Sequence, residues 1–208
     1  MTILPEFRRV LREHWRTYLA LNAAVYGTLV AMAVLTLLVP GLREQGAQDS
    51  EAFVSLPGLS LVTDAYVEGR VARAALGTFL ANLLFAALLT TTLPSLIIPF
   101  FGVVATIWRV GAIGVWLTPA TPEAALALIP HLPVLLIELQ AYVLAVLGTV
   151  ILWRSTFGHR RRGHASASAG YRVGVRDTLH LYPVIVVVLL LIAIVEAVEV
   201  IWIMPLLH

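Results

Sequence analysis

Six polar side chains interrupt long apolar stretches of this sequence, namely Asn82, Arg109, His131, Glu138, Glu196 and Glu199. An ionisable group held in hydrocarbon is costly, so it needs a partner, water or a function. Three carboxyl groups against one arginine leave a surplus of negative charge. Protonation, a cationic histidine, a bound cation or entering water relieves such a surplus. The residue types therefore predict a polar pocket among packed helices that serves a proton, an ion or a ligand.

The spacing of these residues predicts that several of them share a helix face. His131 and Glu138 are seven positions apart, and Tyr142 follows one turn later. Glu196 and Glu199 are three positions apart, which also places them on one face. At a rise of about 1.5 Å per residue, four of the side chains fall roughly 10–12 Å below the same surface: Asn82, Arg109, Glu138 and Glu196. We therefore expect the pocket to open toward that surface.

Two simpler interpretations of these residues stay open. An ion pair between Arg109 and one carboxylate would lock the helices together and do nothing else. The second interpretation is a metal ion held by four side chains: His131, Glu138, Glu196 and Glu199. Against it, His131 is the only nitrogen ligand, and the spacing is not that of a zinc motif. No cofactor is predicted.

The composition requires that these residues sit in a membrane protein. The chain has 208 residues, of which 60% are apolar and 12% charged, and its mean hydropathy is +0.91. Soluble domains carry about 25% charged residues, so a soluble fold of this size would lack polar surface. The absence of cysteine excludes a disulfide framework, a thiol nucleophile and thiolate metal sites.

The apolar stretches predict an all-α, polytopic transmembrane bundle, because a spanning helix needs roughly 20 apolar residues. The five predicted spans cover 17–39, 74–93, 95–117, 131–153 and 182–204. The turn between the second and third spans is expected near Thr90–Ser95, where Pro94 disfavours helix, with Pro99 as a second break. The first span is read as a retained helix and not a signal peptide, and the whole of 1–208 as one transmembrane domain.

The arginines predict the orientation of these spans. All 14 basic residues are arginine, and they concentrate before the first span and between the fourth and fifth. Basic loops stay in the cytoplasm, so five crossings give an N-in, C-out protein of the cytoplasmic (inner) membrane. Segment 154–181 is then a cytoplasmic loop. Segment 41–73 is an external connection that is a solvated loop, a short surface helix or a partner-binding lid.

Two further surfaces follow from the pattern of charge. Residues 1–16 alternate apolar and arginine positions at helical spacing, which predicts an amphipathic interfacial helix. Anionic lipid headgroups are candidate ligands of a basic cluster in the cytoplasmic loop, which consists of Arg154, Arg160, Arg161 and Arg162. Nothing in the segment indicates nucleic-acid binding, because no aromatic residues are interleaved with the arginines.

Small residues at regular spacing predict close helix packing. They are Ala23, Gly27 and Ala31 on the first span, and Gly111 and Gly114 on the third. Packing within one chain is the default interpretation, and the seam of a homodimer is the alternative.

The same polar positions carry a resemblance to the stage II sporulation protein M family of integral membrane proteins. The matching segments, from about residue 82 to the C-terminus, are Ala81-Asn82, Arg109-Val110-Gly111-Ala112-Ile113-Gly114, Pro130-His131 leading to Glu138 and Ala141, and Ile192-Ala193-Ile194-Val195-Glu196-Ala197. Two departures stand out: Leu132-Pro133 replaces the glycine expected after the histidine, and Arg109 replaces an uncharged residue. The resemblance implies a prokaryotic membrane scaffold that works with cell-wall-degrading partners.

Three function classes follow. The first is a scaffold or subunit of a cell-envelope complex, which the resemblance and the absence of enzyme motifs favour. The second is a small transporter or an ion or proton pathway working as a dimer, which the buried charge surplus favours. The third is an intramembrane metal-dependent hydrolase built on the carboxylates and His131.

Overall fold

The computed structural model describes residues 3–55, 59–119 and 121–207, and every regular element within them is helical, as predicted. In chain order the helices are α1 (Ile3–Glu13), α2 (Trp15–Leu38), α3 (Pro40–Val54), α4 (Leu59–Val67), α5 (Val71–Ser95), α6 (Phe101–Trp116), α7 (Pro122–Phe157) and α8 (Ala167–Val198). Within α5, residues Ala81–Thr92 wind as a wider π-helix. Beyond α8 the chain continues as a π-helical turn, Glu199–Ile203, and a 3-10 turn, Met204–Leu207.

Four of these helices are long and apolar enough to cross a membrane: α2, α5, α7 and the helix that starts at Ala167. They correspond to four of the five predicted spans. Helix α6 matches the remaining span, 95–117, but its 16 residues extend only about 24 Å at 1.5 Å per residue. The hydrocarbon layer is about 30 Å thick, so α6 alone falls short of a full crossing.

The antiparallel hairpin of α7 and α8 is the most extensive helix contact of the fold. Side-chain caps start both helices, because Thr121 and Ser166 accept hydrogen bonds from backbone N–H groups three residues on. The backbones then approach closely: a Cβ added to Gly174 would lie 2.5 Å from the Leu152 Cα, and one added to Gly170 would lie 2.2 Å from the Ser155 carbonyl oxygen. These glycines bring the helices into backbone contact.

Helix α7 is the centre of the bundle. In the most apolar 18 residues of α7, 78% of the residues are buried, whereas in those of α2 only 11% are. Residues 135–151 of α7 also contribute most of the largest hydrophobic core cluster. Helices α2, α5, α6 and α8 pack around it. A helix that is apolar on all sides is expected in such a position.

Side-chain contacts define the two ends of the bundle. At the first end, the Trp153 indole donates to the Ser95 carbonyl at 2.6 Å, and the Tyr171 hydroxyl donates to the Leu96 carbonyl at 2.9 Å. At the opposite end, Gly46 lies against the Val115 side chain. The arginine-rich 158–166 connection and the 96–100 turn therefore share one end, and α3 lies at the other.

The turn between α5 and α6 differs from the prediction near Thr90–Ser95. The helix runs through Pro94, and the turn occupies residues 96–100 beside the second predicted break, Pro99. Pro94 opens a short α-helical turn after the π-helical stretch, and its missing N–H is least harmful at the start of such a turn.

Both long connections are largely helical: a surface helix was one alternative for 41–73, whereas 154–181 was expected to be a loop. Most of segment 41–73 forms α3 and α4, and segment 154–181 contains an irregular connection only between Phe157 and Ala167. Helices α7 and α8 extend into both ends of the second connection because they remain paired beyond the apolar core. We name α3 and α4 together the cap.

Helix α1 lies within the segment predicted as an interfacial helix, residues 1–16, and it packs on the bundle through the fully buried Val10. Arg9 fastens it to α8 by donating to Asp177 Oδ1 at 2.7 Å, and it also pairs with Glu6 and Glu13. The Arg9 hydrogen bond lowers the pKa of the Glu6 carboxyl, and burial lowers the pKa of His14. Helix α1 is therefore a docked part of the fold.

Candidate functional site

The Arg109 guanidinium lies among hydroxyl and carbonyl oxygens between α5 and α6. It donates from Nη1 to the Ala86 carbonyl at 3.0 Å and to Thr90 Oγ1 at 2.9 Å, and from Nη2 to Thr91 Oγ1 at 3.3 Å. The ring of Tyr142 from α7 covers its other side, 4.6 Å from the guanidinium carbon. A cation over a desolvated aromatic face is attracted by the ring quadrupole. We call this set the arginine knot.

The expected ion pair between Arg109 and a carboxylate is absent among the residues that the structure describes. The π-helical winding of α5 explains which groups replace a carboxylate as the partners of Arg109. The Ala86 carbonyl accepts from Thr91 Oγ1, five residues on, as well as from Thr90 and Arg109. Oxygen acceptors supplied by a wide helix thus take the place of a counter-ion.

Tyr142 links the arginine knot to Glu138. Its hydroxyl donates to Glu138 Oε1 at 2.6 Å, one turn along α7, while its ring contacts Arg109. Tyr142 itself is almost fully buried. Glu138 and Arg109 are therefore coupled through one aromatic side chain, with no direct bond between their charged groups.

His131 and Glu199 meet at the cap end of the bundle. His131 Nδ1 lies 3.5 Å from Glu199 Oε2, and the two side chains are 18% and 3% exposed. Neither Glu199 oxygen has a hydrogen-bond partner, and Glu196 Oε2 is also buried without one. Glu196 is near enough to Glu138 and Glu199 for their carboxylates to repel it. We call His131, Glu196 and Glu199 the open carboxylate group.

The residues suited to a metal do not converge. Within 3–55, 59–119 and 121–207, no three His, Asp or Glu side chains are placed to hold a metal ion. His131 contacts Glu199, whereas Glu138 is taken up by Tyr142. The geometry thus gives no support to a metal set of His131, Glu138, Glu196 and Glu199.

Asn82 is placed apart from these contacts. It lies half-buried at the start of the π-helical stretch, and no hydrogen bond joins its side chain to another of the described residues. The structure therefore places four of the six predicted pocket residues in the two sets, bonds Glu138 to Tyr142 of the arginine knot, and leaves Asn82 outside both.

The small residues divide between the interior and the outside of the bundle. Gly114 packs on α2, where an added Cβ would lie 2.7 Å from the Leu29 carbonyl oxygen, and Gly111 faces Met32. By contrast, Ala23, Gly27 and Ala31 are exposed, and a Cβ on Gly27 would meet nothing within 4 Å. The stripe on α2 is thus not used for packing within this chain.

Hydroxyl-rich contacts at the helix interfaces were not predicted. On α2, three side chains one turn apart surround Gln140 of α7: Tyr18, Asn22 and Tyr26. Tyr182 of α8 donates to Thr92 Oγ1 at 2.6 Å, and Tyr66 of the cap bonds Thr78 of α5 at 2.8 Å. The i, i+4, i+8 spacing on α2 was a readable signal of a polar seam.

No family model, curated protein or solved structure matches this chain. The likeness to the stage II sporulation protein M family therefore stays a resemblance carried by the residues quoted above.

The structure predicts that the two roles of Tyr142 are separable. Tyr142→Phe keeps the ring over Arg109 but leaves Glu138 without its donor, and we expect a loss of about 1–3 kcal/mol in unfolding free energy. Tyr142→Leu also removes the cation–π contact, worth about 2 kcal/mol when desolvated. Reversible unfolding in detergent micelles measures both variants.

A double-mutant cycle supplies the control for this prediction. With Glu138→Leu already present, Tyr142→Phe should cost almost nothing, because no carboxylate awaits the hydroxyl. If Tyr142→Phe lowers the unfolding free energy equally with and without Glu138→Leu, the hydrogen bond does not couple Tyr142 to Glu138.

Proposed function

We propose that this chain is a multi-pass protein of the cytoplasmic membrane that acts as a scaffold or subunit of a cell-envelope complex. The cap carries the proposal. It is a helical structure held to one end of the bundle by the contacts of Gly46 and Tyr66, and it presents exposed acidic side chains. These are Glu44, Asp49, Glu51 and Asp64.

The placement of the ends supports the N-in, C-out orientation. The arginine-rich connection, α1 and the 96–100 turn lie together at the end opposite the cap. Basic segments remain in the cytoplasm, so in this orientation the cap is external. The chain then traverses the bundle five times, with α6 as the short traverse.

The resemblance to the sporulation family supports the same function. A protein of this kind holds envelope enzymes at the membrane and performs no hydrolysis itself. The failure of the metal candidates to converge leaves the hydrolase alternative without a geometric basis in the described part of the chain.

The scaffold proposal predicts that partner binding depends on the charge of the cap. We expect envelope proteins to copurify with the full-length protein from native membranes, and Glu44→Lys/Glu51→Lys/Asp64→Lys to reduce their recovery about tenfold or more. Like charges placed opposite each other in an interface cost several kcal/mol. Quantitative mass spectrometry after mild detergent extraction measures the recovery.

The matched control reverses three exposed charges at the other end, Arg8→Glu/Arg12→Glu/Arg16→Glu, and should leave recovery unchanged. A protein that purifies alone under mild conditions, or a cap variant that retains its partners, contradicts the scaffold function.

We propose further that two copies associate through α2. The exposed stripe of Ala23, Gly27 and Ala31 offers the small-residue spacing that lets backbones approach in lipid. The open space around Gly27 means that a larger side chain there does not disturb the fold of one copy.

Gly27→Leu is therefore expected to shift the protein from dimer to monomer without lowering its thermal stability. Single-molecule photobleaching in liposomes counts the copies. Ala72→Leu, an equally exposed small-to-large change on α5, should leave the dimer intact. A Gly27→Leu protein that stays dimeric excludes α2 as the seam.

A second candidate function is a proton or small-cation pathway, and the open carboxylate group favours it. Glu199 is 3% exposed and both of its oxygens lack hydrogen-bond partners. Buried carboxylates are satisfied by a proton or a cation when protein donors are absent. From there Glu138, Tyr142 and Arg109 continue the polar sequence toward the bundle centre.

This candidate predicts flux of protons or monovalent cations across liposomes containing the protein, with a large decrease in Glu196→Gln and Glu199→Gln. Glu44→Gln on the exposed cap is the control and should have no effect. Flux that is the same in Glu196→Gln as in the unaltered protein contradicts the pathway.

A further inference from the structure

A cleft at the arginine-rich end of the bundle has both basic and aromatic walls. Its volume is about 730 Å³, and its lining includes Arg154, Arg160, Arg161 and Arg162 together with Phe100 and Phe157. All four arginines are exposed. We call this feature the arginine cleft.

No carboxylate pairs with these four arginines among the described residues. Arg154 has one protein partner, Thr17 Oγ1, to which it donates at 2.6 Å. By contrast, Arg9 binds three carboxylates, and Arg70 and Arg73 lie against Glu68. The cleft therefore concentrates positive charge that the protein itself leaves uncompensated.

The backbone holds three of the arginines in one tight turn. Gly158 ends α7, and hydrogen bonds from Arg162 N to the Gly158 carbonyl and from Gly163 N to the Arg160 carbonyl close the turn. Gly163 has a φ of +72°, a left-handed conformation that glycine adopts without steric cost. Consecutive guanidinium groups are thus presented by a folded segment.

Phe100 and Phe157 form the aromatic wall of the cleft, and contacts with neighbouring residues hold both rings in place. Phe157 is 63% exposed, and its ring stacks on Trp153 at 5.2 Å and meets Phe100 at 6.4 Å. Phe100 has a φ of +60°, a left-handed backbone that a residue with a large side chain rarely adopts. Tyr171 donates to the Leu96 carbonyl of this turn, and Trp153 donates to the Ser95 carbonyl just before it, which holds the turn in place.

The wall continues onto an apolar outer surface. Ile97, in the same turn as Phe100, is 82% exposed. Ile98 and Phe100 of this turn are also exposed, so a ligand in the cleft has basic groups along one part of its length and exposed apolar side chains nearby. Guanidinium groups pair with phosphate oxygens through charge-assisted hydrogen bonds, and apolar side chains suit an acyl chain.

We propose that the arginine cleft binds the phosphate headgroup of an anionic phospholipid, with an acyl chain against Phe100, Phe157 and Ile97. The proposal rests on the placement of the chain in a membrane and is independent of its partners. A free phosphate shares the headgroup chemistry, but it would leave the aromatic wall unused.

The test uses full-length protein in nanodiscs of phosphatidylcholine with increasing phosphatidylglycerol, and native mass spectrometry to count retained lipid. Arg160→Gln/Arg161→Gln/Arg162→Gln should weaken phosphatidylglycerol retention roughly a hundredfold, since each arginine near an anionic surface contributes a factor of about five. Phe157→Ser keeps every charge and should weaken retention several-fold.

The control removes the same number of exposed charges from α1 and the first turn of α2, at the same end, as Arg8→Gln/Arg12→Gln/Arg16→Gln. An equal loss in both triple variants would show that general surface charge attracts the lipid, which overturns the cleft as a site. Protection against heat by inorganic phosphate alone, equal to that by phosphatidylglycerol, would overturn the lipid as the ligand. Carbonate extraction of native membranes tests the membrane placement separately.

Discussion

A charge inside an apolar bundle must be compensated by the protein that surrounds it, and the Arg109 guanidinium is the group on which the interior of this chain depends. Three helices supply its partners: α5 gives oxygen atoms, α6 carries the arginine itself, and α7 gives the Tyr142 ring. Because an unsatisfied guanidinium in hydrocarbon is so costly, these helices cannot rotate independently. The Arg109 side chain therefore fixes both the depth and the rotation of each of these helices.

The polar interior consequently has two parts with different character. In the arginine knot both terminal nitrogens of Arg109 have acceptors and Nε lacks one, so the guanidinium is largely satisfied and fixes the positions of the helices around it. The open carboxylate group is less satisfied, because both oxygens of Glu199 and one oxygen of Glu196 are buried without donors. Fully satisfied polar networks make an interior rigid, whereas unsatisfied ones are where ligands and protons are exchanged. Tyr142 and Glu138 join the two parts.

The sequence predicted much of this arrangement because lipid allows few solutions. Apolar length located α2, α5, α7 and α8, and the shared depth of Arg109, Glu138 and Glu196 indicated that they would meet. The sequence did not predict which groups would be the partners of Arg109. A carboxylate is the expected counter-ion, but the π-helical winding of α5 depends on tertiary packing and turned Thr90 and Thr91 toward the guanidinium instead.

Helix docking in the connections was also beyond the sequence pattern. The mixed polar and apolar pattern of 41–73 indicated a short surface helix as one alternative, but where its helices dock is seen only from contacts such as Gly46 on Val115. The same limit applied to the stripe of Ala23, Gly27 and Ala31: spacing shows that a surface can pack closely, but not which helix it meets.

The ion pair between Arg9 and Asp177 joins residues separated by 168 positions. Helix α1 is synthesised long before α8, yet the carboxylate that anchors it belongs to α8. Until α8 has been made, Arg9 has only Glu6 and Glu13 of its own helix as partners. This end of the bundle therefore closes only after the chain has extended into α8.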